Sequence, residues 1–359
     1  MLVVNAGSSS LKLRLLDGDD ELTGDRDLAV IRREVDRDAV AAAVDELGPA
    51  DAVGHRIVHG GEHFHDPVLI DAGVERALRE LTDLAPLHQP KSLAALDAVS
   101  EALPDLPAIA CFDTAFHATI PAAAATYALP ASWRQRFGLR RFGFHGLSHA
   151  YAARRAAELV GRSDLRLVTC HLGAGASLAA VRDGRSVDTT MGFTPLEGLV
   201  MATRSGSVDP GLLLWLLERE RIDEREMAEA LEHESGLLGL AGDADIRDVL
   251  SRADRGDADA TLAVDVYVHR LRTSIAAMAA ATDGLDALAF TGGVGENSPR
   301  IRQLACESLG FLGVALDEDA NAALAQDGRV ESDGSSAAVL VVESREDLEI
   351  AGHVRALLA

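Results

Sequence analysis

The 359-residue chain carries 57 acidic against 34 basic side chains, a formal charge of −23, and its few cations form no cluster that could neutralise a polyanion, so a nucleic-acid partner is excluded. At 48% hydrophobic and 25% charged residues it has the composition of a globular protein with ample core, and its length suggests roughly two domains. Met1 to Val4 runs straight into the polar turn Asn5 to Ser10 and no apolar run approaches the ~20 residues that span a bilayer, so neither a signal peptide nor a membrane partner is expected.

In chain order, Leu2 to Val4 reads as a strand, followed by the small turn and a second strand in which Leu11, Leu13 and Leu15 alternate with Lys12 and Arg14. This is a hairpin around a phosphate-sized loop. A helix near 36–47, a strand at 52–58, helices near 75–84 and 92–103 and a strand at 108–112 follow. The hairpin design returns at 165–181, where Leu167 to Cys170 leads into His171-Leu172-Gly173-Ala174-Gly175-Ala176-Ser177 and then Leu178 to Val181. Ser10 aligns with Ser177 and Leu11 with Leu178, a pseudo-repeat that predicts two domains of like topology, each offering one loop to a shared cleft. Helices near 209–220, 223–233 and 257–281, a strand at 287–291, a helix near 300–309, a strand at 338–342 and a last helix to Leu358 complete an α/β alternation with mixed sheets. The repeat alone sets the domain boundary, near 148.

Three cysteines, Cys111, Cys170 and Cys306, are odd in number and widely spaced, as expected of free thiols in the cytoplasm, and the first two read as core. Only Lys12 and Lys91 are lysine. Lys12, beside a serine-rich turn, suits a compact cation on phosphate better than an ordinary exposed strand residue, whereas Lys91 carries no such signal. No Walker loop precedes either lysine, and the glycines at 173 and 175 lack the third glycine and following helix of a dinucleotide fingerprint. The turn Thr291-Gly292-Gly293-Val294-Gly295-Glu296-Asn297-Ser298, between a strand and a helix, suits either a nucleotide contact or a tight turn.

His55, His59, His63 and His65 have a metal-like spacing that Gly60-Gly61 and a strand pattern argue against. Arg56, inside an apolar strand, needs an anion, which is either a ligand or a structural partner such as Glu62. Asp113 stands at a strand end, where α/β proteins keep their chemistry, or caps a helix. His145, between aromatic and glycine residues, reads as a packed imidazole or a functional one. The glycine-punctuated stretches Met191 to Gly198 and Met201 to Pro210, the second carrying Arg204, form a loop long enough to be functional.

Taken in order from Asn5 to the last helix, these motifs resemble the acetate and butyrate kinase family (acetokinases). The resemblance implies a duplicated actin-like, sugar-kinase-like (ribonuclease H-like) fold, with residues 1–148 and the helix 347–359 forming one domain and 149–346 a second that carries the nucleotide loops. It implies a reversible, in-line transfer of phosphate between ATP and acetate, with Mg²⁺ or Mn²⁺, in a cytoplasmic homodimer whose domains close around the nucleotide. By motif, Arg56, Asp113, His145 and Arg204 would be catalytic. Ser8, Ser10, Lys12 and His171, Leu172, Gly173, Ala174 and Gly175 would contact phosphates. Asp245, Ile246, Arg247 and Gly293, Val294, Gly295, Glu296 and Asn297 would contact adenosine, and Asn5 and Glu346 the metal. Val58, Leu87, His88, Phe144, Pro195 and Arg56 would bind the short-chain carboxylate. The chain departs from the family pattern at Ala174, Leu147, Ala202, Ser207 and Ser344-Arg345. Propionate or butyrate as substrate, or a nucleotide-binding regulator without turnover, are the alternatives.

Overall fold

The computed structural model describes residues 1–7, 10–29, 35–84, 89–218 and 222–359. The chain forms two compact units, one of Met1–Ala118, Phe144–Tyr151 and Arg345–Ala359, the other of Thr119–Gly143 and Ala152–Ser344.

In the first unit, strands β1 (Leu2–Ala6), β2 (Ser10–Leu16), β3 (Leu22–Ala29), β4 (Val53–Ile57), β5 (Val68–Leu69) and β6 (Ala108–Phe112) form one sheet in the order β3-β2-β1-β4-β6-β5. The first three are an antiparallel meander, and β4 and β6 then add in parallel beside β1. In the second unit, β7 (Arg166–Leu172), β8 (Ala176–Arg182), β9 (Arg185–Thr189), β10 (Ala287–Thr291), β11 (Gly328–Arg329) and β12 (Ala338–Val341) repeat the plan in the order β11-β12-β10-β7-β8-β9. A meander of three is again extended by two parallel strands and edged by a short antiparallel one. This is the doubled α/β topology expected from the hairpin repeat, and it agrees with the actin-like fold that the resemblance implies.

Period-2 alternation divides the first sheet between two covers. Leu2, Val4, Leu11 and Leu13 pack with Val40, Val44 and Val99 from the helices Arg37–Leu47 and Gln89–Ala102. Val3, Ile109 and Cys111 point the other way, into Leu147, Ile350 and Val354. The C-terminal helix Glu346–Leu358 is therefore part of the first unit's core. Leu147, where the family pattern has a polar residue, is buried in that same apolar cluster. All three cysteines are free and buried.

Gly54 is the point of closest approach between the central strand β4 and that helix. A Cβ there would lie 2.4 Å from Ile350 Cγ2 and 2.9 Å from Val354 Cγ2, both on stiff β-branched side chains. Gly54→Ala is expected to cost about 1–3 kcal/mol by overpacking. Thermal unfolding of the variant several degrees below wild type checks this, and an unchanged melting temperature contradicts it.

Several elements differ from expectation. Strands β3 and β9, both at sheet edges, carry no apolar alternation, and β3 is largely exposed. The boundary near 148 falls inside a helix, Gly146–Val160, whose start is masked in sequence by Gly146, Ser148 and His149. The strip 119–143 groups with the second unit, where Thr119 Oγ1 donates to Ser186 O and Arg141 donates to the carbonyls of Thr189, Thr190 and Met191. The glycine-rich 292–297 is a helix, Gly292–Asn297, rather than a turn. Among the described residues no helix is long and apolar enough to cross a membrane.

Candidate functional site

The carboxyl ends of β1, β4 and β6 bring Asn5, Arg56 and Asp113 together. In register, Val4 faces His55 and Arg56 faces Cys111, so each of the three residues stands at or just past the end of its strand. Arg56 donates from Nε to Asp113 Oδ1 at 2.9 Å and from Nη2 to Oδ2 at 2.6 Å, a fork-to-fork pair, and from Nη1 to Asn5 Oδ1 at 2.9 Å. Asn5 passes the network on, its Nδ2 donating to Glu346 Oε2 at 2.7 Å, and Glu346 lies 3.5 Å from Arg56 Nη1. The structural partners of Arg56 are thus Asp113, Asn5 and Glu346. Glu62, the partner suggested by sequence proximity, is exposed.

The position of Glu346 follows from two periodicities. Gly54 meets Ile350, and Arg56, two strand residues on, meets Glu346, four helix residues back. Two strand residues advance about 6.6 Å and four helical ones about 6 Å, so the contacts stay in step. Three of the five guanidinium N–H groups are spent on Asp113 and Asn5, leaving two for Glu346 or an oxygen of a ligand. Burial acts to lower the Arg56 pKa, but the charges of Asp113 and Glu346 and the bonds to Asp113 raise it overall, so it stays cationic. Burial pushes the Asp113 carboxyl up, against the pull of Arg56.

His145 follows in the loop that docks on Asp113. Its backbone N–H bonds the Asp113 carboxylate, and the next amide, Gly146 N–H, donates to Asp113 O at 2.8 Å. The approach is so close that a Cβ on residue 146 would lie 2.1 Å from that carbonyl oxygen. His145 itself is held at φ +56°, a left-handed conformation that costs a residue with a Cβ about 1–2 kcal/mol. Phe144 before it is buried, and its carbonyl accepts from His117 Nε2 at 3.0 Å.

Behind this cluster, β4 turns His55 to the interior. Burial drives its pKa down to about 3, and that of buried His59 to about 4. The unfolded chain binds these protons near pH 6.5 and the folded one does not. The stability they contribute is therefore complete above pH 6.5 and is lost as pH falls toward 4 and then 3, by about 1.4 kcal/mol per pH unit for each site within its window. Urea midpoints at pH 7, 6 and 5 should fall accordingly, and more shallowly in His55→Gln. Equal slopes in both proteins would contradict the assignment.

In the second unit the Met201–Pro210 stretch carries Arg204. It is mostly buried, donates from Nη1 to Pro195 O at 2.8 Å, and has Glu232 at 4.0 Å from Nε. Burial lowers its pKa despite Glu232. Glu232, which sequence reading did not single out, sits in a π-helical turn, Ala230–Glu234, of the kind often found at functional sites. That turn pins the arginine's neighbours: Thr203 Oγ1 donates to Glu232 O and Ser205 N to Leu231 O. The Pro195 loop is clamped in turn by Glu197, which accepts from Tyr127 Oη at 2.6 Å and from Arg141 Nη2 at 3.0 Å.

The remaining sequence-chosen residues fall as follows. Lys12 is exposed on β2, paired in register with Asn5, and Ser10 opens that strand. Gly173, Ala174 and Gly175 make the tight β7–β8 turn, with His171 and Leu172 ending β7 and Gly173 N donating to Gly175 O at 2.9 Å. Asp245 caps the helix Ile246–Asp254 and pairs with exposed Arg247, whose hydrogen bond holds its pKa down at about 2, while Ile246 is buried. Gly293 to Asn297 lie on the short helix, with Gly293 exposed, Val294 half-buried and Glu296 accepting from Ser344 N at 2.9 Å. A buried arginine that sequence reading missed, Arg302, donates to the carbonyls of Gly295 and Glu296 and fixes the end of that helix. Val58 is buried close after β4. Ser8, Leu87 and His88 lie outside the described residues.

Among the described residues no group of three or more His, Cys, Asp or Glu side chains could hold a metal by itself. The oxygens of Asn5 and Glu346 are nevertheless of the kind that suits a hard divalent cation, which can bind through one or two carboxylates plus substrate phosphates and water.

Residues 24–352 match the profile of the Acetokinase family. The acetate kinase of Leifsonia xyli subsp. xyli is 46% identical across 98% of this chain and 97% of that protein. Among solved structures, Porphyromonas gingivalis acetate kinase superposes with a TM-score of 0.90 at 35% identity, covering 100% of this chain and 99% of that one. A propionate kinase from Francisella tularensis subsp. tularensis gives 0.91 at 34% identity, with 98% of each chain covered. Near-complete coverage at these identities, on the same doubled sheet, places the chain in the acetokinase family.

Proposed function

We propose that the protein transfers the γ-phosphoryl group of ATP to acetate, reversibly and in line, forming acetyl phosphate and ADP. The observation that supports it most directly is Arg56: a cation held by Asp113, Asn5 and Glu346 at the carboxyl ends of three parallel strands, with N–H groups to spare. A carboxylate is already ionised at pH 7, so it needs no strong base to attack phosphorus. It needs relief from the repulsion between two anions, which arginines supply.

In this reading Arg56 binds the acetate carboxylate, and Asp113 orients Arg56 without accepting a proton. Arg204 and His145 stabilise the phosphoryl group in transfer. Val58, Leu87, His88, Phe144 and Pro195 bound the acyl group, Ser8, Ser10, Lys12 and His171 to Gly175 contact the nucleotide phosphates, and Asp245 to Arg247 with Gly293 to Asn297 contact adenosine. Asn5 and Glu346 hold Mg²⁺, which neutralises phosphate charge when bound.

ATP formation from ADP and acetyl phosphate, with pyrophosphate and inorganic phosphate as control donors, tests the reaction. ATP binding without turnover at high enzyme concentration would sink it in favour of a regulator. The propionate kinase likeness makes acyl preference a second question. One methylene is worth about 1–3 kcal/mol in an apolar pocket, so kcat/KM for acetate, propionate and butyrate decides it. A cytoplasmic homodimer belongs to the same reading. The helix Pro210–Glu218 leaves Leu212 and Trp215, three residues apart on one face, about half exposed and offers that apolar face to a second copy. Sedimentation as a monomer at micromolar concentration would count against that part.

A further inference from the structure

We propose that His117 is a positioning residue for the transfer: by donating Nε2–H to the Phe144 carbonyl it fixes the peptide that aims His145. The inference rests on the reading of His145 as the donor to the phosphoryl group. His117 is fully buried, 3.0 Å from that carbonyl, with Phe116 and His149 packed edge-on against its ring. A carbonyl oxygen can only accept, so the imidazole carries its proton on Nε2.

The same peptide is gripped at both ends. Its C=O is held by His117 and its N–H by the Asp113 carboxylate. Turning it over would carry His145 from φ +56° to the extended side, where a residue with a Cβ is unstrained. Left to its own preference the peptide would turn, the His145 N–H would leave Asp113, and the imidazole would swing with the backbone. Asp113 alone holds one end and is itself tied to Arg56, so the bond from His117 is the second constraint that keeps the strained form populated. Without it the Phe144 carbonyl would also be left buried and unsatisfied in the native orientation, which favours turning further.

The wild-type protein labelled with ¹⁵N-histidine is expected to show His117, identified by its disappearance in His117→Gln, with a proton on Nε2. The Nδ1–H tautomer would overturn the proposal whatever the activity. His117→Phe keeps the ring and loses the donor, so kcat should fall about tenfold or more while the KM values for ATP and acetate stay within about threefold. His117→Gln, which restores a donor at similar reach, should recover most of that loss. In a His145→Ala background His117→Phe should add less than about a twofold further loss, since residues acting through one group are not additive. An additive loss there, or unchanged kcat in the single variant, overturns the role. Exchange of the His145 amide should be about tenfold or more faster in His117→Phe than in wild type. A wild-type enzyme that forms no acetyl phosphate would defeat the functional reading alone, because tautomer and amide exchange still decide the positioning role. They do so equally, through wild type and His117→Gln, if His117→Phe fails to fold.

Discussion

An Arg56→Ala enzyme is expected to lose phosphotransfer and stability together. Among the described residues Arg56 is the one cation bonded to Asp113, whose carboxyl is almost wholly buried, with Glu346 adding a second negative charge nearby. Removing one partner of such a buried pair costs about 3–5 kcal/mol, because the survivor is left charged and dehydrated. The cost has a sign in pH. Without Arg56 the Asp113 pKa rises further above its unfolded value, so the folded variant binds the proton more tightly than the unfolded chain and gains stability as pH falls. The gap to wild type in urea unfolding should therefore be widest near pH 8.5 and narrower near pH 6. Turnover should drop by about 10³ or more at either pH, on the scale of other arginines that stabilise transferring phosphate. Arg56→Lys should regain part of the stability but little turnover, because an ammonium cannot span both Asp113 oxygens and Asn5. Equal stability at both pH values, or an active alanine variant, would show that the cluster is neither the electrostatic nor the catalytic unit described.

Much of this was legible in the sequence, and the limits have physical causes. The hairpin repeat announced the doubled sheet because burial within each unit imposes alternation on β2 and near-continuous apolar runs on β1, β7 and β8. The edge strand β3 escaped because an edge facing solvent imposes no such pattern, and β9 because Thr119 and Arg141 meet its carbonyls with polar bonds rather than apolar packing. Arg56 declared itself as an ion inside an apolar strand, but its partner could not be read from proximity. Asp113 lies 57 residues away and reaches it through strand pairing, while Glu346 arrives from the far end of the chain on a helix docked at Gly54. The left-handed backbone of His145 had only weak signals, the nearby glycines Gly143 and Gly146. Glu232 and Arg302 gave none, since a π-helical turn and a buried arginine bonded only to amide and carbonyl oxygens look in sequence like ordinary surface helix.

Arg204→Ala is expected to separate what Arg56→Ala confounds. Arg204 is nearly as buried as Arg56, yet it has one carbonyl bond, to Pro195, and a carboxylate no nearer than 4.0 Å. Arg56, by contrast, holds three short bonds and a second carboxylate. An arginine whose pKa is lowered by burial is a charge that the fold tolerates rather than exploits. Its deletion takes a donor from the Pro195 carbonyl and strands Glu232, which burial already pushes toward the neutral form and which can take up a proton. The alanine variant should thus unfold within about 1 kcal/mol of wild type. Phosphotransfer should nonetheless fall by about 10³ or more, mainly in kcat, if the guanidinium meets charge that develops only in the transition state. Acetyl phosphate formation trapped as hydroxamate, read beside urea unfolding of the same preparation, checks both halves. Near-native turnover would remove Arg204 from the reaction, and a loss of several kcal/mol would make it a structural residue like Arg56. The expected combination, a stable and inactive protein, is what a charge kept under-compensated for a missing anion should give.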